Sequence, residues 1–181
     1  MDAELDRGPI LAVTKTPIGP DEGVEDVTAR LGELAADLLV RTLPGWIDGT
    51  VVPVEQDHAR ATYVTRLSKE DGIVAFDRPA VRVRDHIRAM TPWPGATTQW
   101  LSPTGREPFP LVLHRATVVE GAEPPAGTPL GTVLAAGKEG IDVACAVGVL
   151  RVVKLQAAGG KPMSSREFLN GRPITVGDRF G

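Results

Sequence analysis

The sequence is poor in the residue types from which self-contained catalytic sites are usually built. Of 181 residues, one is cysteine, three are histidine, and aromatic residues make up 4 %. Cys145 alone cannot form an internal disulfide, so the chain fits a reduced, cytoplasmic setting. It sits in the alternating run Ile141 to Val147 with no histidine nearby, which is the position of a small core residue. His58, His86 and His114 are far apart and lack metal-ligand spacing, so they read as surface or strand histidines and no metal is expected. Gly137-Lys138 and Gly159-Gly160-Lys161 lack the G-x-x-x-x-G-K-[ST] spacing that cradles a phosphate, and read as turns. No apolar run approaches the roughly 18 residues of a membrane span. Asp2, Glu4 and Asp6 stand where a secretory leader would be basic and then apolar, so neither anchor nor leader is expected.

What is present is an ordinary globular composition, 42 % hydrophobic and 24 % charged, with its charge unevenly divided. Residues 1–65 carry 5 Lys+Arg against 12 Asp+Glu, net -7, whereas residues 66–181 carry 15 against 11, net +4. A basic piece behind an acidic one points to an anionic partner for the second.

The first piece predicts one strand over Ile10 to Ile18, closed by Gly19-Pro20. From Val24, the residues Val27, Leu31, Leu34 and Leu38 share one face of a helix that should end before Pro44-Gly45. One strand and one helix cannot cover both faces of a layered unit, so this piece reads as the end of something larger. Residues 44–65 read as a connector, with a boundary near Arg60 to Arg66. Beyond it, Pro79 opens a helix with Val83, Ile87 and Met90 on one face and Arg78, Arg82, Arg84 and Arg88 off it, ending at Thr91-Pro92. Five strand-like runs follow, Thr97 to Leu101, Leu111 to Val119, Gly131 to Ala135, Ile141 to Ala146 and Val149 to Leu155, which suggest a small barrel. Ser164 and Glu167 have capping-box spacing for a short closing helix ended by Gly171. Trp93, enclosed by Pro92 and Pro94, is expected to pack on the barrel; the alternative is that Trp93 or Trp100 stacks on bases. Three carboxylates in Asp2-Ala3-Glu4-Leu5-Asp6 could serve acid/base chemistry, although a solvated acidic start explains them as well.

In combination these segments resemble the methionyl-tRNA formyltransferase family. Met1-Asp2-Ala3-Glu4-Leu5-Asp6-Arg7-Gly8-Pro9-Ile10 is similar to the family's active-site loop, usually MDxGLDTGP, with Glu4 at the glycine and Arg7 at the threonine. Gln56-Asp57, Ala61-Thr62-Tyr63 and Leu67-Ser68-Lys69-Glu70-Asp71 resemble its interdomain stretch. Ile87 to Ala96 (IRAMTPWPGA) resembles IRAFNPWPGA, Gly131-Thr132-Val133 the family's GTV, and Leu155 to Ser164 (LQAAGGKPMS) its LQPAGKKPMS. The resemblance implies a mainly β fold: an OB-like open β-barrel with short helices, preceded by a strand-helix remnant of a Rossmann-like α/β formyltransferase domain. It implies residues 1–52 as the end of the catalytic domain, 53–65 as linker, and 66–181 as a tRNA-binding barrel.

By the same resemblance, 10-formyltetrahydrofolate is the formyl donor, and the methionyl amine of initiator tRNA is the acceptor. The family's catalytic asparagine and histidine lie in an upstream motif that this sequence does not contain, and only the aspartate has a counterpart, Asp6. Losing the oxyanion donor alone costs about 10²-fold or more, so the chain by itself is expected to be inactive. Its partners would be the initiator tRNA and the missing N-terminal half, with the protein a monomer. Arg66, Lys69, Arg82, Arg84, Arg88, Lys154 and Lys161 are the candidates for tRNA phosphates. A free-standing OB-like RNA-binding module is the alternative, and a sugar-nucleotide formyltransferase a more distant one.

Overall fold

In the computed structural model, which describes residues 5–102 and 107–181, the chain divides into two units that meet in sequence between Arg66 and Leu67. Asp2 and Glu4 lie outside the described residues.

The first unit is organised by α1 (Val24–Ile47). The Gly23 N–H donates to Asp26 Oδ2 at 3.0 Å, and Glu25 and Asp26 face the positive end of the helix dipole. Arg30 pairs with Glu22 and donates to the Pro17 carbonyl at 2.7 Å, which ties the incoming chain to the helix. The helix does not stop before Pro44-Gly45; it runs through Pro44 to Ile47. Pro44 has no N–H for the Val40 carbonyl, but Val40 is 72 % exposed, so water can reach that acceptor. The Asp48 N–H then closes the last turn on the Pro44 carbonyl at 3.0 Å.

The strand expected over Ile10 to Ile18 does not form either. Ile10 and Val54 exchange N–H···O bonds of 2.8 and 2.9 Å in one isolated antiparallel bridge. Pro17 cannot donate to a ladder, and among the described residues no second strand of this unit lies alongside to extend one. Among its described residues this unit buries none. Val27, Leu34 and Leu38 are half-buried, and Leu31 and Leu39 are 48 % and 61 % exposed.

The second unit holds the core. Its helix α2 (Ala80–Met90) begins after Pro79, whose carbonyl accepts from the N–H groups of Arg82 and Val83, and it buries Ala80, Val83 and Ile87. Seven strands form one antiparallel sheet: β1 (Ala96–Leu101), β2 (Phe109–Val119), β3 (Val133–Gly137), β4 (Gly140–Ala144), β5 (Val149–Ala157), β6 (Met163–Ser164) and β7 (Arg179–Phe180). The order is β3-β4-β5-β2-β1-β7, with β6 on β5. Inward residues such as Leu111, Leu113, Ile141, Leu150 and Leu155 pack with Ile87 and Phe180. The helix α3 (Ser165–Gly171) closes the unit through the expected capping box, the Ser164 hydroxyl accepting from the Glu167 N–H.

The sheet curls so that β7 touches both edges. Gln99 and Gly181 exchange N–H···O bonds of 3.0 Å on the β1 side. On the β3 side Phe180 N–H donates to Gly131 O, and Val133 N–H to Asp178 O, both at 2.8 Å. Gly131 lies at φ +80°, and a Cβ there would sit 1.9 Å from the Phe180 oxygen, so only glycine fits this seam. The result is the expected mainly β, OB-like barrel, with β6 and β7 too short for periodicity to reveal.

The two tryptophans of this region differ in exposure. Trp93 is 60 % exposed, so part of it is covered. Trp100 is 6 % exposed, and its Nε1–H donates to Asp178 at 2.9 Å, so it cannot stack on bases. The alternation of β1 decides this, because Ala96, Thr98 and Trp100 all point into the core. Cys145 is buried, and burial pushes its thiol up to about 11. Among the described residues no helix is long and apolar enough to cross a membrane.

Candidate functional site

An open cavity of 570 Å³ lies in the first unit, and Asp6 lines it. Asp6 has φ 59°, the only positive φ of a non-glycine among the described residues. An aspartate tolerates this left-handed conformation at a cost of order 1 kcal/mol when its surroundings impose it. Here the constraint is Gln56, whose Nε2 donates to the carbonyls of Asp6 (2.9 Å) and Gly8 (2.7 Å). The Ile10–Val54 bridge lies just beyond. Two segments about fifty residues apart are thereby stitched into one wall, which presents the Asp6 carboxylate to solvent. His58, Arg60 and Tyr63 line the same cavity. His58 opens a single 3-10 turn capped by Asp57, whose carboxylate accepts from the Ala59 N–H at 3.1 Å. Gln56 drew notice in the sequence only through its similarity to the family, since a hydrogen bond across this separation leaves no local pattern.

The expected cationic residues divide between the units. Arg66, the last residue of the first unit, is exposed. Lys69 is exposed in a turn of the second unit that Asp71 caps by accepting from the Ser68 N–H (2.6 Å) and hydroxyl (2.9 Å). Those two bonds hold the Asp71 carboxyl below the ordinary carboxylate range. The neighbouring Glu70 carboxyl is lowered mainly by a bond to its own backbone N–H.

On α2, Arg82 is exposed, while Arg84 and Arg88 share one carboxylate. Arg84 reaches Asp85 Oδ1 at 2.8 and 3.1 Å, and Arg88 reaches it at 3.2 Å. Burial alone would raise the Asp85 carboxyl, but the two guanidiniums outweigh it and hold it low. Lys154 is exposed on β5, and Lys161 is exposed in the turn before β6. The barrel unit therefore carries Lys154 on its sheet, Arg82, Arg84 and Arg88 on α2, and Lys69 and Lys161 in turns.

Arg172 also lies over the Phe109 ring at 4.1 Å, a cation–π contact that sequence spacing does not announce. A second cavity of 340 Å³ between the β3–β4 turn and α3 is lined by Lys138, Arg166 and Asn170.

Comparison with known proteins places this geometry in context. The sequence family described as the formyl transferase C-terminal domain matches residues 66–173. The chain is 43 % identical over 177 residues to methionyl-tRNA formyltransferase of Trichlorobacter lovleyi, covering 98 % of this chain and 52 % of that protein. It is 39 % identical over 181 residues to the enzyme of the same name from Sorangium cellulosum, covering 100 % and 56 %. The chain thus spans about half the length of the curated relatives it matches. Among solved structures, a variant of HypX from Aquifex aeolicus superposes with a TM-score of 0.66 at 18 % identity, covering 97 % of this chain and 30 % of that one. HypX in complex with tetrahydrofolic acid gives 0.64 at 16 %, covering 96 % and 29 %. At such identities the likeness speaks for the fold, and it is the sequence match over residues 66–173 that makes this chain a member of the formyl transferase C-terminal domain family.

Proposed function

We propose that this chain supplies two working parts of a methionyl-tRNA formyltransferase. Residues 1–52 are the end of the catalytic domain, 53–65 the linker, and 66–181 the barrel that holds tRNA. One observation carries the reading: similarity to enzymes of that name runs through both units, over 98 % of the chain at 43 % identity. The reaction moves a formyl group from 10-formyltetrahydrofolate to the methionyl amine of initiator tRNA, in the cytoplasm. Asp6 handles a proton at the attacking amine, its carboxylate fixed by the strained turn that Gln56 ties down. Arg66, Lys69, Arg82, Arg84, Arg88, Lys154 and Lys161 neutralise tRNA phosphates and position the acceptor, without reading its sequence.

The donor that stabilises the tetrahedral oxyanion, and the group that assists proton transfer, belong to a partner half that this sequence does not contain. With purified chain, 10-formyltetrahydrofolate and methionyl-tRNA, no turnover is expected. Turnover by the chain alone would overturn the division of roles. Binding of tRNA should weaken steeply as salt rises from about 50 to 200 mM, and an affinity indifferent to salt would overturn the role of the barrel.

A further inference from the structure

The register of β2 and β5 places two like charges face to face. Leu113 pairs with Leu155 and Ala116 with Val152, and between these buried pairs Arg115 stands directly opposite Lys154. A register shift lies on each side of that pair, so the ladder is adjusted locally, and the outer face gains two adjacent cations there. Both residues are exposed. Like charges directly opposed across an antiparallel pair are destabilising, with Cβ atoms about 4.5 to 5.5 Å apart.

The neighbouring charge on β5 is treated differently. Arg151 reaches Asp142 at 2.7 and 2.9 Å and Glu139 at 2.5 Å, so its charge is answered within the sheet. Among the described residues no ion pair answers Arg115 or Lys154. Ser164, which pairs with Lys154, is followed three residues on by the carboxylate of Glu167. It is already engaged by the Ser164 N–H (2.9 Å) and hydroxyl (2.7 Å).

We infer that the Arg115–Lys154 pair is a binding site for a backbone phosphodiester of RNA, and that Arg115 belongs to the nucleic-acid surface of the barrel. The inference rests on the RNA-holding role proposed for residues 66–181. A phosphodiester between the two side chains accepts a forked pair of bonds from the guanidinium and one from the ammonium. It also removes the repulsion that the free sheet carries.

The test measures binding of a full-length tRNA transcript to the 181-residue chain by fluorescence anisotropy, across a range of salt. Arg115→Gln and Lys154→Gln should each reduce the slope of log affinity against log salt by about one, and the double variant by about two. Arg115→Lys should keep the slope, and Arg41→Gln, a charge removed from α1, should leave it unchanged. The thermal midpoint of Arg115→Gln should equal or exceed that of the unaltered chain, because a repulsion is gone. A steep slope in the unaltered chain that neither neutralisation alters overturns this site while leaving the RNA-holding role intact. A flat slope in the unaltered chain overturns that role and the site with it.

Discussion

Asp6 is held in a conformation it would not choose, and the cost is borne by two hydrogen bonds from one side chain. Removing them with Gln56→Ala should free the Asp6 and Gly8 carbonyls and loosen the turn by about 1–2 kcal/mol. Faster amide exchange over residues 6–10, with exchange in the barrel unchanged, is the expected signature, and unaltered exchange in the loop would remove Gln56 from this role. Cys145 offers a contrast, a residue whose surroundings silence it. With its thiol pushed up to about 11 by burial, only about a thousandth is thiolate at pH 8. A thiol reagent should therefore label the chain only as it unfolds, and rapid labelling of the native protein would show the burial to be wrong. Asp178 answers both the Trp100 Nε1–H and the Thr175 N–H at 2.9 Å. Asp178→Ala leaves a buried indole N–H unpaired and should cost about 1–3 kcal/mol in a denaturant titration. At this scale the sequence was least informative: Asp6 and Lys154 could be named as candidates, but the bonds of Gln56 to the Asp6 turn and the place of Arg115 opposite Lys154 could not be read. Those partnerships depend on register and on contacts between distant segments, which no local spacing encodes.

At the scale of elements the correspondence was closer wherever an element had something to pack against. α2 and the five longer strands were legible because alternation and helical spacing were enforced by one core. Ser164 and Glu167 announced α3 through their own chemistry. The failures were the strand expected from Ile10 and the helix stop at Pro44, both in the unit that buries none of its described residues. A strand signal needs a neighbouring strand to become a ladder, and Pro44 shows that a proline in the last turn of a helix need not stop it there. The caps carry a pH dependence of definite sign. The hydroxyl and N–H of Ser164 lower the Glu167 carboxyl, and those of Ser68 lower that of Asp71. A carboxyl held below its unfolded value contributes stability that is fully present above the ordinary carboxylate range. That contribution is lost as pH falls through the lower, folded value. Acid should thus fray the start of α3 before it opens the barrel, as amide exchange at Glu167 and Phe168 against pH would report. Glu167→Gln should flatten that dependence. For the seam, Gly131→Ala forces a methyl group against the Phe180 carbonyl and should cost more than about 2 kcal/mol by the shift in denaturant midpoint.

Over the whole molecule, charge and burial divide along the same line. The acidic unit has a long amphipathic helix and no buried residue among those described, whereas the basic unit has the core. Limited proteolysis should cut within residues 5–66 first and leave 67–181 resistant; equal resistance of both would contradict the burial pattern. This imbalance was visible in advance as one strand and one helix too few for a layered fold, and it agrees with a chain that spans about half the length of its curated relatives. The closure of the barrel, however, was not foreseeable, since it depends on four residues with no pattern of their own. Asp178 to Gly181 join β1 to the start of β3, and they follow every other strand of the sheet in the chain. Until they dock, both edges stay unpaired and Phe180 is missing from the core. Without those four residues the sheet would keep two sticky edges in place of a closed surface, so the seam guards the barrel against pairing with other chains.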